Sequence, residues 1–338
     1  MSIDTQGEWP IGSPLVGSLT TRVTGAQRPA ARSIWHSGRV SHEAPLVRAR
    51  PAAIFHNQAA ASARTWRVNR AVALTRSALD ADLHVAASRD PDELVMWLEE
   101  RIGAYRTVVI AGGDGTLAMA YNVAAGRPDL VLGYLPAGFG NATAHLLRLP
   151  RDPVTLAAVV AGGEARPVDL VAADGRLALF AGAGWDALVA ERYAAGGGHR
   201  LMGWTGAILR SLPDLARRPH VQVEADGTSI YDGPMEMLVV GTTPWYGRGL
   251  LVNPGAAPDL GRLTARVYAG PAPRLALEVT RWLAHRSQSV APMVAESIVV
   301  RRTDGELLAV QADGDVIGRR PEWRFTIRPA AVRIIGRW

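Results

Sequence analysis

Two glycine-rich turns stand out as places where this chain could hold phosphate. The first, Gly112-Gly113-Asp114-Gly115-Thr116, follows the apolar run Thr107-Val108-Val109-Ile110-Ala111. The second, Pro136-Ala137-Gly138-Phe139-Gly140-Asn141, follows Leu130-Val131-Leu132-Gly133-Tyr134-Leu135. Glycine adopts positive φ and lets backbone N–H groups approach a phosphate oxygen with no Cβ in the way. Turns that leave parallel strands open at the carboxyl edge of the sheet, where ligands of open α/β folds bind. A helix beginning at Thr116 adds the partial positive charge of its N-terminus. Asp114 lies inside this rim, and a carboxylate beside phosphate is unfavourable unless a cation or a transferable proton accompanies it. The chain holds six Asp-Gly pairs, beginning at Asp114, Asp174, Asp226, Asp232, Asp304 and Asp313, and most Asp-Gly pairs are ordinary hairpin turns. Asp114 differs because a strand-to-helix connection needs no hairpin turn.

Composition removes several alternatives. There is no cysteine, and the 37 Lys+Arg are all arginine. Disulfides, thiolate nucleophiles, Schiff-base lysines and a Walker A loop are therefore excluded. Neither turn fits the dinucleotide spacing GxGxxG, no GxSxG elbow occurs, and the eight histidines show no HxxxH or HExxH spacing. The formal net charge of +6 suits anionic partners, but a genome poor in lysine codons would produce the same excess of arginine. No RNA-binding signature with interleaved aromatics appears, so a nucleic-acid partner is not expected. No basic start followed by an apolar run is present, and no apolar stretch reaches the roughly 18 residues that span a bilayer. The expectation is a soluble, cytoplasmic protein, peripheral at a membrane if its substrate demands it.

The elements that would position these turns follow from hydropathy. With 338 residues, 48% of them hydrophobic, two domains are expected. Residues 1 to about 45 are rich in Gly, Pro, Ser, Thr and Arg without periodicity and read as a flexible extension. Residues 46–150 alternate strand and helix, which predicts a three-layer α/β domain with a parallel sheet. Val68, Val72, Leu79 and Leu83 sit near helical spacing, and Asp90-Pro91-Asp92 opens a second helix. From 151 to 320 short strands alternate with Asp-Gly and Pro turns, for example 177–180, 220–224, 235–240 and 263–268, which predicts a β-sandwich domain. Leu201, Trp204, Ile208, Leu212 and Leu215 form one helical face within it, as do Leu275, Val279, Trp282 and Leu283; both read as core-packing faces first and membrane contacts second. Trp323, Phe325 and Ile327 alternate with Arg324, Thr326 and Arg328 in a half-buried strand. Whether residues 321–338 return to the first domain is left open by spacing.

The stretches VVIAGGDGT (108–116) and LPAGFGNATAHL (135–146) together resemble the catalytic domain of the diacylglycerol kinase and sphingosine kinase-like lipid kinase family. That family shares its GGDG element with NAD kinases and phosphofructokinases. The similarity continues through Gly184-Trp185-Asp186-Ala187, the insert around Trp204, Asn253-Pro254 and Val310-Gln311-Ala312-Asp313-Gly314-Asp315, so it covers roughly residues 50–338. The resemblance implies an ATP-dependent lipid kinase that transfers the γ-phosphate to a hydroxyl of a diacylglycerol- or sphingoid-type lipid, with Mg2+ as cofactor and a membrane surface as the place of work. A homodimer is left open. On that likeness Asn57, Gly112, Gly113, Gly115, Thr116, Gly138, Gly140, Asn141 and Asp315 would bind ATP. Asp114 and Asp313 compete for the role of general base, Asp186 would contact the lipid head group, and Asp259 would hold a structural magnesium.

The chain departs from the family pattern in four places. Asn57-Gln58-Ala59-Ala60-Ala61-Ser62 replaces a loop of the type Asn-Pro-x-Ser-Gly, and Phe139 replaces a small or hydroxyl residue. Ala142 stands where many diacylglycerol kinases carry Asp, and Leu260 follows Asp259 where a second acid is usual. These departures keep a second reading in play: a non-catalytic protein that retains the fold and binds nucleotide or lipid.

Overall fold

The computed structural model describes residues 51–86, 91–101, 103–196, 201–286 and 289–338. The extension read at residues 1 to about 45, and Asp90, lie outside them. Four strands open the described chain: β1 (Ala52–Asn57), β2 (Asp82–Ala86), β3 (Thr107–Gly112) and β4 (Val131–Pro136). The helices α1 (Trp66–Leu79), α2 (Pro91–Arg101) and α3 (Asp114–Ala124) follow the first three, and α4 (Ala142–Leu146) and α5 (Pro153–Gly162) follow the fourth. Next come β5 (Glu164–Ala173), β6 (Arg176–Ala178) and β7 (Phe180–Gly184), then α6 (Trp185–Ala195), α7 (Leu201–Ser211) and a 3₁₀ turn at Leu212–Ala216. The strands β8 (His220–Ala225), β9 (Thr228–Pro234) and β10 (Met237–Gly241) precede a small hairpin, β11 (Trp245–Tyr246) and β12 (Leu250–Leu251). The chain finishes with β13 (Leu263–Tyr268), α8 (Ala272–Leu283), β14 (Met293–Ala295), β15 (Ser297–Arg302), β16 (Leu308–Ala312), β17 (Asp315–Arg320) and the long β18 (Glu322–Gly336).

The first four strands are parallel, in the order β2-β1-β3-β4. In β1, β3 and β4 nearly all β-branched and aliphatic residues are buried on both faces, as a sheet covered by helices on each side requires, whereas the edge strand β2 leaves Val85 exposed. Ile54, Val109 and Leu135 pack toward α1 and α5 through Val68, Val72, Leu156 and Val160. Phe55, Val108, Ile110 and Leu132 pack the other way, onto Leu98 of α2 and Leu117 and Tyr121 of α3. This is the three-layer α/β arrangement, and every one of its β–α turns emerges at the same sheet edge.

The sheet does not stop at β4. β18 pairs parallel with β4 through Arg333 and Ile334, and antiparallel with β15 through Phe325 and Trp323. The result is one ten-stranded sheet, parallel at one end and antiparallel at the other. A second, antiparallel sheet of order β14-β13-β10-β7-β16-β17 packs across it. Val171, Val223, Leu238, Val240, Ile298 and Phe325 fill the space between the two sheets, which makes the C-terminal part sandwich-like. β18 is bent where Ala330 takes φ 48° and its N–H donates to Asp169 Oδ1 at 2.8 Å. Asp169 Oδ2 also accepts the Gly261 amide, so this buried carboxylate pins the bend.

Three local readings are corrected by the structure. The first helix ends before Leu83, because Asp80 adopts a left-handed cap (φ 48°) and Leu83 begins anew in β2. Residues 177–180 do not form one strand: β6 pairs with β5 and β7 with β10, and the chain changes sheet at Leu179. The helical insert does pack through Ala207 and Ser211, but Ile208, Leu209 and Leu212 remain 39%, 59% and 46% exposed. Among the described residues no helix is long and apolar enough to cross a membrane.

Candidate active site

The ends of β1, β3 and β4 are laced together. Asn57 closes an Asx turn by accepting the Ala59 amide (2.9 Å), and its Nδ2 donates to Thr116 Oγ1 (3.1 Å). Ser62 binds Ala137 O twice, from its amide (2.8 Å) and from its hydroxyl (2.9 Å). The loop after β1 therefore keeps its anchor points although its glycine is absent.

The glycines divide into two kinds. A Cβ on Gly138 would stand 2.6 Å from Gly113 Cα, and one on Gly113 would stand 3.2 Å from Gly138 Cα. The two turns are thus in backbone contact and form one wall, which any side chain at either position would separate. A Cβ on Gly112 would meet Thr116 Cβ at 2.7 Å, so this glycine makes room for the first turn of α3. A Cβ on Gly140 would lie 3.2 Å from Asp114 Oδ2. Only Gly115, among the five glycines of the two turns, has open space where its side chain would be.

Asp114 reaches across to the second turn. Its Oδ2 accepts the Ala142 amide (3.0 Å) and its Oδ1 the Thr143 amide (3.1 Å), the first amides of α4. Burial pushes its pKa up, against the pull of those amides. Asn141, in a left-handed conformation (φ 53°), accepts the Gly138 amide (2.9 Å) and donates to Gly138 O (3.0 Å). The Tyr134 hydroxyl donates to Asn141 Oδ1 (3.1 Å) and lies 3.5 Å from Asp114 Oδ1. Asp114, Asn141 and the fully buried Tyr134 therefore fix the shape of the wall.

Asp313 comes from the other lobe. Ala312 pairs with Asp315 across the β16–β17 hairpin, so Asp313 (φ 50°) and Gly314 (φ 92°) form its two-residue turn. The Asp313 carboxylate accepts the amides of Leu179 (3.1 Å) and Phe180 (3.1 Å), which is why the strand breaks there. Burial drives its pKa well above the usual carboxylate range, and the charges of Asp114 and Asp315 push in the same direction. Asp315 itself is exposed and ion-paired with Arg176 at 2.7 Å.

Asp186 is buried in the first turn of α6. Its Oδ2 accepts from the Tyr246 hydroxyl (2.8 Å) and from Gln311 Nε2 (3.0 Å), whereas its buried Oδ1 has no partner. Burial raises its pKa to about 6. A Cβ on Gly182 would fall 1.7 Å from Asp186 Oδ2, so that glycine is obligatory. Gln311 Oε1 accepts the Gly314 amide (2.7 Å), which couples Asp186 to the Asp313 turn through one side chain. Sequence reasoning singled out neither Tyr246 nor Gln311 as site residues. Gln311 does carry a signal, since it is a polar residue in the otherwise apolar strand Leu308–Ala312.

Asp259 is exposed in the loop before β13, and among the described residues no three His, Asp or Glu side chains are placed to hold a metal ion. A magnesium there would rest on the single Asp259 carboxylate, with water and backbone oxygens supplying its other ligands. A cavity of about 640 Å³ does lie against the second glycine turn, between α1 and α5. Phe139, Gly140, Asn141, Arg67 and Arg151 are among its walls. A glycine turn and guanidinium groups around a cavity of this size suit a nucleotide triphosphate.

Fold and site together define the class: a phosphotransferase built around two glycine turns. The diacylglycerol kinase catalytic domain matches residues 51–173, and the YegS C-terminal NAD kinase beta sandwich-like domain matches residues 180–336. The chain belongs to this lipid kinase family. It is 27% identical over 274 residues to a Pseudomonas aeruginosa protein named "Probable lipid kinase YegS-like", covering 79% of this chain and 88% of that one. It is 33% identical over 161 residues to a diacylglycerol kinase of Mycobacterium tuberculosis, a match that spans 44% of this chain and 50% of the relative. A crystal structure of a diacylglycerol kinase from Bacillus anthracis superposes with a TM-score of 0.65 at 17% identity, covering 85% of this chain and 97% of that one. That likeness is one of fold.

Proposed function

We propose that this kinase transfers the γ-phosphate of ATP to a hydroxyl of a diacylglycerol- or sphingoid-type lipid. The observation that carries the reading is the backbone contact between Gly113 and Gly138, which joins two glycine turns into one wall, with a cavity of about 640 Å³ against the second turn. Phosphoryl transfer needs little covalent help. It requires alignment of the acceptor oxygen and neutralisation of charge on the phosphate oxygens. Amides near Gly115 and the hydroxyl of Thr116 would meet the phosphate chain, with magnesium arriving as the Mg·ATP complex rather than on a protein-built site. Asp313 would take the acceptor's proton, because a carboxylate with a raised pKa holds a proton more readily near neutrality. Asp114, whose carboxylate reaches from the first glycine turn to the Ala142 and Thr143 amides just after the second, would hold the two turns in register.

Asp186 would receive the lipid head group. Its unpartnered Oδ1 is an acceptor without a donor, and a head-group hydroxyl or ammonium would satisfy it. Exposed Ile208, Leu209 and Leu212, with exposed Arg210 and Arg217 alongside, support docking at an anionic membrane surface.

The test is a labelling experiment. Purified protein with γ-labelled ATP, Mg2+ and mixed micelles of diacylglycerol, sphingosine or ceramide is expected to label one of these lipids. Nucleotide binding with no labelled lipid would instead support the non-catalytic reading.

A further inference from the structure

Among the described residues, every wall residue of the cavity beside the second glycine turn precedes residue 157, with the single exception of Arg248. Arg248 occupies the tip of the β11–β12 hairpin between Gly247 (φ 50°) and Gly249 (φ 84°). Two left-handed glycines turn the chain sharply and thrust the residue between them outward.

Contacts on both flanks fix that tip over the first lobe. Gly247 O lies 3.5 Å from where a Cβ on Gly140 would stand, and a Cβ on Gly249 would reach 2.7 Å from the His145 ring. His285 Nε2 is 2.9 Å from Gly249 O. Trp245, at the base of the hairpin, packs between the rings of His145 (5.6 Å) and His285 (5.3 Å). The guanidinium carbon of Arg248 then sits 4.6 Å from the centre of the Phe139 ring. An arginine held over an aromatic face keeps its N–H donors pointing outward, free to grip an anion. Among the described residues no carboxylate pairs with Arg248.

We infer that Arg248 is the cation that the C-terminal lobe supplies to the phosphate chain of the nucleotide, and that Phe139 positions it. The chain contains no lysine, so permanent positive charge near the phosphates has to come from guanidinium groups. Arg67 and Arg151 line the cavity from the first lobe, and Arg248 completes the set from the opposite side. Phe139, a bulky residue between two glycines, acquires a purpose as a platform. The inference rests on the reading of this site as a nucleotide site and adds to it the group that links phosphate binding to the second lobe.

Calorimetric titration of the full chain with Mg·ATP, Mg·ADP and adenosine tests it. Arg248→Gln is expected to weaken ATP and ADP by about ten- to a hundredfold and to leave adenosine unchanged. Phe139→Leu keeps apolar bulk but removes the ring face, and is expected to weaken ATP by about two- to fivefold. Arg248 is exposed, so the melting temperature of Arg248→Gln should match wild type. Unchanged ATP affinity in Arg248→Gln overturns the assignment, as does an equal loss for ATP and adenosine. A wild-type protein that binds ATP, loses it in Arg248→Gln and phosphorylates no lipid upholds the assignment while removing the kinase reading. A wild-type protein that binds no ATP overturns both.

Discussion

Asp226-Gly227 and Asp313-Gly314 are the same turn in the two sheets of the sandwich. Asp φ is 49° and 50°, and Gly φ is 79° and 92°. Each carboxylate accepts two consecutive backbone amides from a neighbouring segment: Glu296 and Ser297 for Asp226, Leu179 and Phe180 for Asp313. One turn is therefore sufficient as a structural clip. The difference is in the surroundings. Asp226 is exposed, whereas Asp313 is half-buried where desolvation and the Asp114 charge raise its pKa, one side chain away from Asp186. A turn type marks a fold; a desolvated turn beside a second carboxylate marks chemistry.

The largest expected effect breaks that comparison directly. Asp313→Asn should lower kcat for lipid phosphorylation by about 10²- to 10⁴-fold, the usual contribution of general-base catalysis. Asp226→Asn should leave kcat within about twofold of wild type, since the same amide-accepting geometry serves no reaction there. Equal losses in the two variants would mean that both turns act only as clips.

Glycine positions sharpen the same contrast between scaffold and chemistry. Gly138→Ala forces a Cβ to 2.6 Å from Gly113 Cα and should destabilise the protein by about 1–3 kcal/mol in denaturant titrations. Gly115→Ala enters open space within a helix, so stability should hold or rise by about 0.5–1 kcal/mol, while ATP affinity falls if phosphate occupies that space.

The last expected effect concerns pH. Asp186 has a folded-state pKa of about 6 against an ordinary 3.8, so the folded protein binds this proton more tightly than the unfolded chain. The stabilisation it lends is complete below pH 3.8 and is lost as pH rises through about 6. Wild-type stability minus that of Asp186→Asn should therefore fall between those two values and be flat above them, as followed by melting temperature across buffers. A flat difference throughout would show that Asp186 is not desolvated.

The apolar runs before each glycine turn, and the change from alternating strand and helix to short strands, were enough to predict the α/β layer and the sandwich. The chemistry-bearing turns followed from local pattern, because a glycine turn after a buried strand is a local event. What local pattern could not supply was long-range pairing. Nothing near Asp114 announces that its carboxylate ends on the amides of Ala142 and Thr143, 28 and 29 residues away. Tyr246 and Gln311 meet Asp186 across separations of 60 and 125 residues. Phe139 departs from the family pattern, and only the β11–β12 hairpin, about a hundred residues on, brings Arg248 over its ring. Leu83 kept helical spacing, but a left-handed Asp80 had already ended the helix.

A crystal structure of the chain with magnesium and a non-hydrolysable ATP analogue tests the central claim most directly. The phosphate chain is expected against the Gly113–Gly138 wall, within hydrogen-bonding reach of the Gly115 and Thr116 amides, with Asp313 facing the terminal phosphate. Phosphates lodged away from that wall, with the analogue outside the cavity lined by Phe139 and Gly140, would contradict the account.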